Sequence, residues 1–310
     1  MQALLAEQQM EICAALESLD GTGRFRHDPW QRPGGGGGTT CVLADGDLFE
    51  KAGVNVSQVY GELSEEAASQ VGGGHSLVGP DSRQFFACGL SLVLHPRHPM
   101  VPTVHANYRY FERGDGQAPG AWWFGGGSDL TPTYLYEQDA QHFHQTLKGA
   151  CDRIDPLFYP RFKAWCDRYF WIPHRAEARG IGGIFFDNLC DRPKATLFAF
   201  IAGCLRAFLP SYVPIVQRRR TEAYEPAHSR WQQLRRGRYV EFNLVYDRGT
   251  SFGLRTGGRT ESILMSLPAV ASWQYDYRCT DGSREAALQS VLAAPRSWAD
   301  PDRPAGPPPA

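Results

Sequence analysis

Three stretches of this 310-residue chain carry side chains suited to acid–base or anion-binding chemistry. In the first, a strand over Arg83–His95 sends Phe86, Cys88, Leu90, Leu92 and Leu94 to one face, because successive side chains alternate across a pleat. Its other face turns polar towards the end, at Ser91 and His95. A second strand over Val101–Glu112 places Val104, Ala106, Tyr108 and Tyr110 together, and Thr103, His105, Asn107, Arg109 and Phe111 opposite. Two neighbouring strands then present His, Asn and Arg on one face, flanked by aromatic rings. A sheet face that binds a ligand is favoured over a merely solvated one. Histidine moves protons near neutral pH, and arginine's planar fork grips carboxylates at two points.

The second stretch, AWWFGGGSDLTP (Ala121–Pro132), runs paired tryptophans into three glycines. Those glycines suit a sharp turn or a close approach to a ligand. Asp129 follows them, and taken alone it reads as a turn or capping aspartate. Neither this run nor Gly34–Gly38 ends in the Gly-Lys-Ser/Thr of a phosphate loop. The third stretch, Tyr239–Arg259, alternates as a strand over Arg238–Asp247 and closes on Gly257-Gly258-Arg259. That turn suits a carboxylate, and an ordinary hairpin with a surface arginine fits it equally. Nine histidines raise metal binding, yet no tight ligand pair occurs, and His142 and His144 point apart on a helix. The basic run Arg218–Arg220 with Arg235, Arg236 and Arg238 reads as a solvated loop.

The elements that must position these groups are mixed. Further strands are expected at Thr40–Ala44, Asn55–Gly61, Ala121–Phe124 and Ile181–Asp187. Helices are expected over 1–19, 136–154, 157–170 and 192–209, the last capped by Asp191 and stopped at Pro210. Short turn-rich links between strands favour antiparallel neighbours. The fold class is therefore α+β: a large flat antiparallel sheet of about seven strands with helices on both faces, in a single domain over 1–298. A Pro-rich tail, 299–310, is too rich in proline to pack.

Composition excludes several classes. With 32 Lys+Arg against 33 Asp+Glu the net charge is −1, so a general nucleic-acid binder or polybasic membrane protein is disfavoured. Only four basic residues are lysine. Eight scattered cysteines without a C-x-x-C pair suggest free thiols in a reducing cytoplasm. No apolar run approaches the ~18 residues that span a bilayer, and no secretory signal opens the chain.

HPRHPMVPTVHANYRYFE, WWFGGGSDLTP, RGIGGIFFD and GRYVEFNLVYDRGTSFGLRTGGRTESILMSLP, in this order, resemble the oxygen-dependent coproporphyrinogen III oxidases. The likeness runs from about Phe25 to Trp273 and departs only at His98, Met100 and the tail. It implies oxidative decarboxylation of two propionates of coproporphyrinogen III to vinyl groups in haem biosynthesis, giving protoporphyrinogen IX. Molecular oxygen is the implied co-substrate, with no flavin, haem or nicotinamide. Substrate contacts are implied at Ser91, Asn107, Tyr108, Arg109, Gly257, Gly258 and Arg259. His95, His105, His144 and His174 are implied as ligands of a divalent cation, with His105 as proton donor. Asp129, in a glycine-flanked loop, would receive the pyrrole N–H groups, while Arg109 and Arg259 clamp propionates. The likeness also implies a homodimer formed through the region around 239–273.

Overall fold

The computed structural model describes residues 1–63, 83–118 and 120–300. The expected tail beyond 300 lies outside them, as does His75. Seven strands form one antiparallel meander: β1 (Arg26–Gln31), β2 (Gly36–Ala44), β3 (Phe49–Glu62), β4 (Gln84–Pro96), β5 (Thr103–Arg113), β6 (Trp122–Thr131) and β9 (Gly182–Leu189). The order follows the chain, β1-β2-β3-β4-β5-β6-β9. Two short strands, β7 (Trp171–Ile172) and β8 (Glu177–Ala178), pair separately.

The pleat divides the sheet as the alternation of β4 and β5 predicts. Leu90, Leu92, Leu94, Val104, Ala106 and Tyr108 are buried on one face. That face is covered by α1 (Gln2–Asp20), α2 (Glu137–Asp152), α3 (Phe158–Tyr169) and α4 (Lys194–Arg219). Phe158, Phe162, Phe186 and Phe200 meet there with ring centroids 4.9 to 5.8 Å apart, a geometry that adds to the burial of aromatic area. The opposite face lies beneath α5 (Pro226–Val245), α6 (Arg248–Arg255) and α7 (Thr260–Leu264). A last helix, α8 (Arg284–Ala293), packs against β8.

Four expectations need correction. The segment Arg238–Asp247 is helical, not extended. Its helix starts at Glu225, whose side chain and that of His228 cap each other's backbone, with Pro226 in the first turn. From there Trp231, Arg235, Tyr239 and Phe242 fall on one buried side, and this 3.6-residue period prevails over the local alternation. Helix α4 runs through Pro210 and Pro214 to Arg219, starting two residues later than the Asp191 cap implies. An interior proline costs about 3 kcal/mol, which burial of Phe208, Tyr212, Ile215 and Val216 offsets. The extension makes α4 long and apolar enough to cross a membrane by composition, yet it packs within the core. The basic residues of 218–238 are not a solvated loop: Arg219 pairs with Asp139, Arg235 with Glu177 and Arg236 with Glu50.

The fourth concerns the three glycines of 125–127. They make no turn but lie inside β6, in register with Arg109, Tyr108 and Asn107. A Cβ at Gly125 would come within 2.9 Å of Arg109 Nε and of Asp187 Oδ1, and one at Gly126 within 2.4 Å of Asn107 O. Glycine is needed there for space. The glycine run at 34–38 does turn, with Gly35 and Gly36 at φ 110° and 82°, joining β1 to β2.

Candidate active site

The face beneath α5, α6 and α7 carries a polar row that crosses the sheet. Asp28, Thr40, Asn55, Ser91, Asn107 and Gly127 are successive partners in register from β1 to β6. Thr40 Oγ1 lies 2.7 Å from Asn55 Oδ1, so the row is bonded within itself. A parallel row, Ser57, Gly89, Arg109 and Gly125, has almost no side-chain height apart from Arg109. Beyond it, Phe85, Phe111 and Trp123 stack at 6.1 and 5.2 Å.

Arg109 stands over this floor. Its Nη2 donates to Asp187 Oδ1 at 2.8 Å, its Nη1 donates to Asn107 Oδ1 at 3.3 Å, and its guanidinium lies 5.5 Å from the Trp123 ring. Arg259 reaches the same face from above. Gly257, at φ 71°, turns the chain between α6 and α7 and brings Arg259 over the β1–β2 edge. There its Nη2 donates to Asp28 Oδ2 at 2.6 Å and its Nη1 to Ser262 Oγ at 3.0 Å. From Thr40 to Arg109 is three strand spacings, ~14 Å.

His105 and Asp129 form the most tightly held part. They are direct register partners on β5 and β6, with Nδ1 2.7 Å from Asp129 Oδ1. The other carboxylate oxygen accepts from Arg179 Nη2 at 2.7 Å, and both side chains are 2 % exposed. Arg179 Nη1 donates to Asn243 Oδ1 at 2.8 Å, and its guanidinium lies 4.1, 4.5 and 4.9 Å from the rings of Phe170, Tyr239 and Phe242. Burial by itself would push the Asp129 carboxyl up. The Arg179 charge and the bonds from His105 and Arg179 outweigh it and hold the group below the usual carboxylate range. An ionised Asp129 accepts from Nδ1–H of His105, so the unprotonated lone pair of a neutral imidazole sits on Nε2. Nε2 makes no hydrogen bond to the described residues, and 21 % of the side chain is open.

The geometry corrects the setting expected of Asp129: it sits within β6 rather than in a loop and is buried, with one oxygen bonded to His105 and the other to Arg179. The first of these bonds orients the His105 ring. Tyr108 is likewise displaced from the ligand face: its ring is fully buried on the core side, bonded to Ser128 at 2.8 Å. Ser91, Asn107, Arg109 and His105 do share the open face, as the pleat requires.

The four histidines do not converge. His95 is buried, with Nε2 donating to Ser266 O at 2.9 Å and Nδ1 3.4 Å from Thr103 Oγ1; burial holds it neutral, pushed down to about 3. His144 lies on the core side, donating to Ile181 O and accepting from Tyr159. His174 is exposed, between Tyr246 and Glu241. Three of the four thus have both ring nitrogens occupied, and no group of three His, Cys, Asp or Glu among the described residues could hold a metal ion. These residues do not fit the implied cation.

The local alternation missed Asp28, Arg179 and Asp187. Only the motif RGIGGIFFD, which opens on Arg179 and closes on Asp187, marks two of them in the sequence.

A broad sheet face carrying two guanidiniums and one oriented imidazole suits a protein that binds a flat polycarboxylate and moves protons on it. The chain belongs to the coproporphyrinogen III oxidase family, whose model matches residues 1–298. It is 52% identical over 301 residues to coproporphyrinogen-III oxidase 1, chloroplastic, of Arabidopsis thaliana, covering 96% of this chain and 78% of that protein. The Drosophila melanogaster oxygen-dependent coproporphyrinogen-III oxidase is 55% identical, with coverages of 96% and 77%. The human mitochondrial form is 54% identical, with 96% and 66%.

Removing the buried cation should unmask the anion it compensates. An Arg179→Met chain is expected to lose about 3–5 kcal/mol of unfolding free energy in denaturant titrations. Adding Asp129→Asn should restore most of that loss; simply additive losses would contradict the pairing.

Proposed function

We propose that this chain catalyses the oxygen-dependent decarboxylation of two propionates of coproporphyrinogen III, giving protoporphyrinogen IX. The observation that carries the proposal is the placement of two partly open guanidiniums, Arg109 and Arg259, on the same sheet face as the His105 imidazole, which lies four residues from Arg109 on β5. Each cycle converts –CH2–CH2–COOH and O2 into –CH=CH2, CO2 and H2O2. The substrate loses two electrons and two hydrogens, and oxygen gains both.

A porphyrinogen is electron-rich and can react with oxygen directly once a pyrrole N–H is relieved of its proton. His105 Nε2 takes that proton as electron density moves to oxygen and hands it on to the peroxide. Asp129 and Arg179 keep the imidazole in the tautomer that can accept. Arg109 and Arg259 fix which rim carboxylate lies over the centre, a contribution of position. The floor of Gly89, Gly125 and Gly127 lets the ring lie close to the backbone.

Oxygen alone serves as oxidant in this reading, without an organic cofactor. Coproporphyrinogen III supplied to purified chain should yield CO2 and vinyl product in air, without added flavin, nicotinamide or haem, and none under anaerobic conditions. Product formed without oxygen would overturn it. Arg109→Lys should lose roughly 10–100-fold in kcat/KM, because the ammonium cannot make the two-point contact; wild-type turnover would remove Arg109 from the clamp.

The assembly we infer is a homodimer through 239–273, where Leu244, Val245, Val270 and Trp273 are 46 to 63 % exposed. Apolar exposure of this kind marks a contact surface. A Val245→Glu chain should sediment as a monomer, and an unchanged dimer would refute this surface. All eight cysteines are unpaired, which suits a reducing compartment, and the cytoplasm is the site of action we assign. A chain found active in an oxidising compartment would contradict it.

A further inference from the structure

Both guanidiniums that would receive substrate carboxylates already hold a carboxylate of the chain itself. Arg109 holds Asp187 of β9, and Arg259 holds Asp28 of β1, at opposite edges of the sheet. Each contact is a single point: Nη2 to Oδ1 at 2.8 Å in one case, and Nη2 to Oδ2 at 2.6 Å in the other. The same molecule shows a two-point pair for contrast. Arg175 grips Glu241 with its full fork, Nε to Oε2 at 2.8 Å and Nη2 to Oε1 at 2.7 Å, and Glu241 is further bonded by His174 and Trp273. The single-point pairs are about as accessible as that one, with side chains 33 and 15 % exposed at Arg109–Asp187 and 27 and 32 % at Arg259–Asp28 against 36 and 12 % at Arg175–Glu241, so the difference lies in the number of bonds.

We propose that Asp187 and Asp28 are placeholder carboxylates, occupying the propionate positions until the substrate exchanges for them. This rests on the reading that Arg109 and Arg259 clamp propionates. Each guanidinium gives one N–H to its aspartate and one to a neutral oxygen, Asn107 Oδ1 or Ser262 Oγ, which keeps it aimed over the floor and leaves further donors free. A propionate that engages two donors gains the stronger charge-assisted arrangement and displaces the aspartate. Asp187 is not stranded by the exchange: it retains the Asn188 N–H at 3.1 Å and faces Arg248 Nη2 of α6 at 3.4 Å. Gly125 is what allows the pair to lie in the plane of the floor, since its missing Cβ would touch both Arg109 and Asp187.

The placeholders raise the threshold for binding, and so select rim carboxylates that can use the fork over anions making one contact. The aspartates therefore weaken substrate affinity while improving its selectivity.

The experiment measures the Kd of coproporphyrinogen III under anaerobic conditions, where no turnover occurs, for wild type, Asp187→Asn, Asp28→Asn and Arg109→Gln. Both asparagine variants should bind about 2–5-fold more tightly than wild type, the scale of one partly exposed ion pair, and Arg109→Gln more weakly. Tighter binding of small monocarboxylates by Asp187→Asn, measured as competition, would accompany it. Weaker substrate binding by Asp187→Asn in parallel with Arg109→Gln would overturn the placeholder role and make Asp187 an orienting partner of the clamp. Unchanged binding by Arg109→Gln would also overturn it, and would trace the failure to the clamp itself. Circular dichroism melting of the near-isosteric asparagine variants separates these outcomes from misfolding.

Discussion

One buried cation sets the geometry of this face. Arg179 is taken out of water, which is costly unless the guanidinium is paired; both its terminal nitrogens are bonded, while the buried Nε has no partner. Phe170, at the end of α3, and Tyr239 and Phe242 of α5 supply the rings, Asn243 supplies a neutral acceptor, and Asp129 supplies the charge. The constraint acts in two directions. It draws α5 down onto the sheet, and it holds the Asp129 carboxyl below its usual range in a place where burial alone would push it up. His105 inherits its orientation from that charge. A hydrophobic plug of equal volume could join the helix to the sheet, but it would leave the imidazole without a fixed tautomer.

The remainder of the face is shaped by what is missing from it. Gly89, Gly125 and Gly127 interrupt the pleat where side chains would otherwise rise, while the opposite face of the same strands is filled by Leu90, Tyr108 and Phe124. One side of the sheet can thus act as a core and the other as a platform. Stacked aromatic rings close one end of the platform, and Met265 lies over Gly53 towards the other. The two accessible charges of the site, Arg109 and Arg259, stand where water still reaches them. The charges that must not move, at Asp129 and Arg179, lie beneath helices.

Legibility in the sequence followed the range of the interactions. In β4 and β5 the alternation of apolar and polar residues names both faces correctly, because strand periodicity is a local property. Four motifs in family order carry the identity of the fold and the ligand groups at Asn107, Arg109 and Arg259, while Ser91, outside all four, is marked by the alternation of β4. Glycine at 125–127 was ambiguous, since a residue without a Cβ suits a turn as well as a crowded strand; only the neighbouring Arg109, Asp187 and Tyr108 decide. Helix α5 was misread because Tyr239–Asp247 alternates by coincidence, while its capping signal lies 14 residues upstream at Glu225. Asp28, Arg179 and Asp187 were beyond any local pattern. Their partners lie 231, 50 and 78 residues away in the chain, and pairs of that separation appear only once the sheet is assembled.

The central claim is that Asp129 acts through His105 and has no separate contact with the substrate. A double-mutant cycle on kcat for CO2 release tests it directly, using His105→Gln, Asp129→Asn and the double variant. If the two residues work as one unit, the double variant should be about as slow as His105→Gln alone, a strongly non-additive result. Losses that multiply, so that the double variant is slower by the product of the single effects, would contradict the account and give Asp129 an independent role in the reaction.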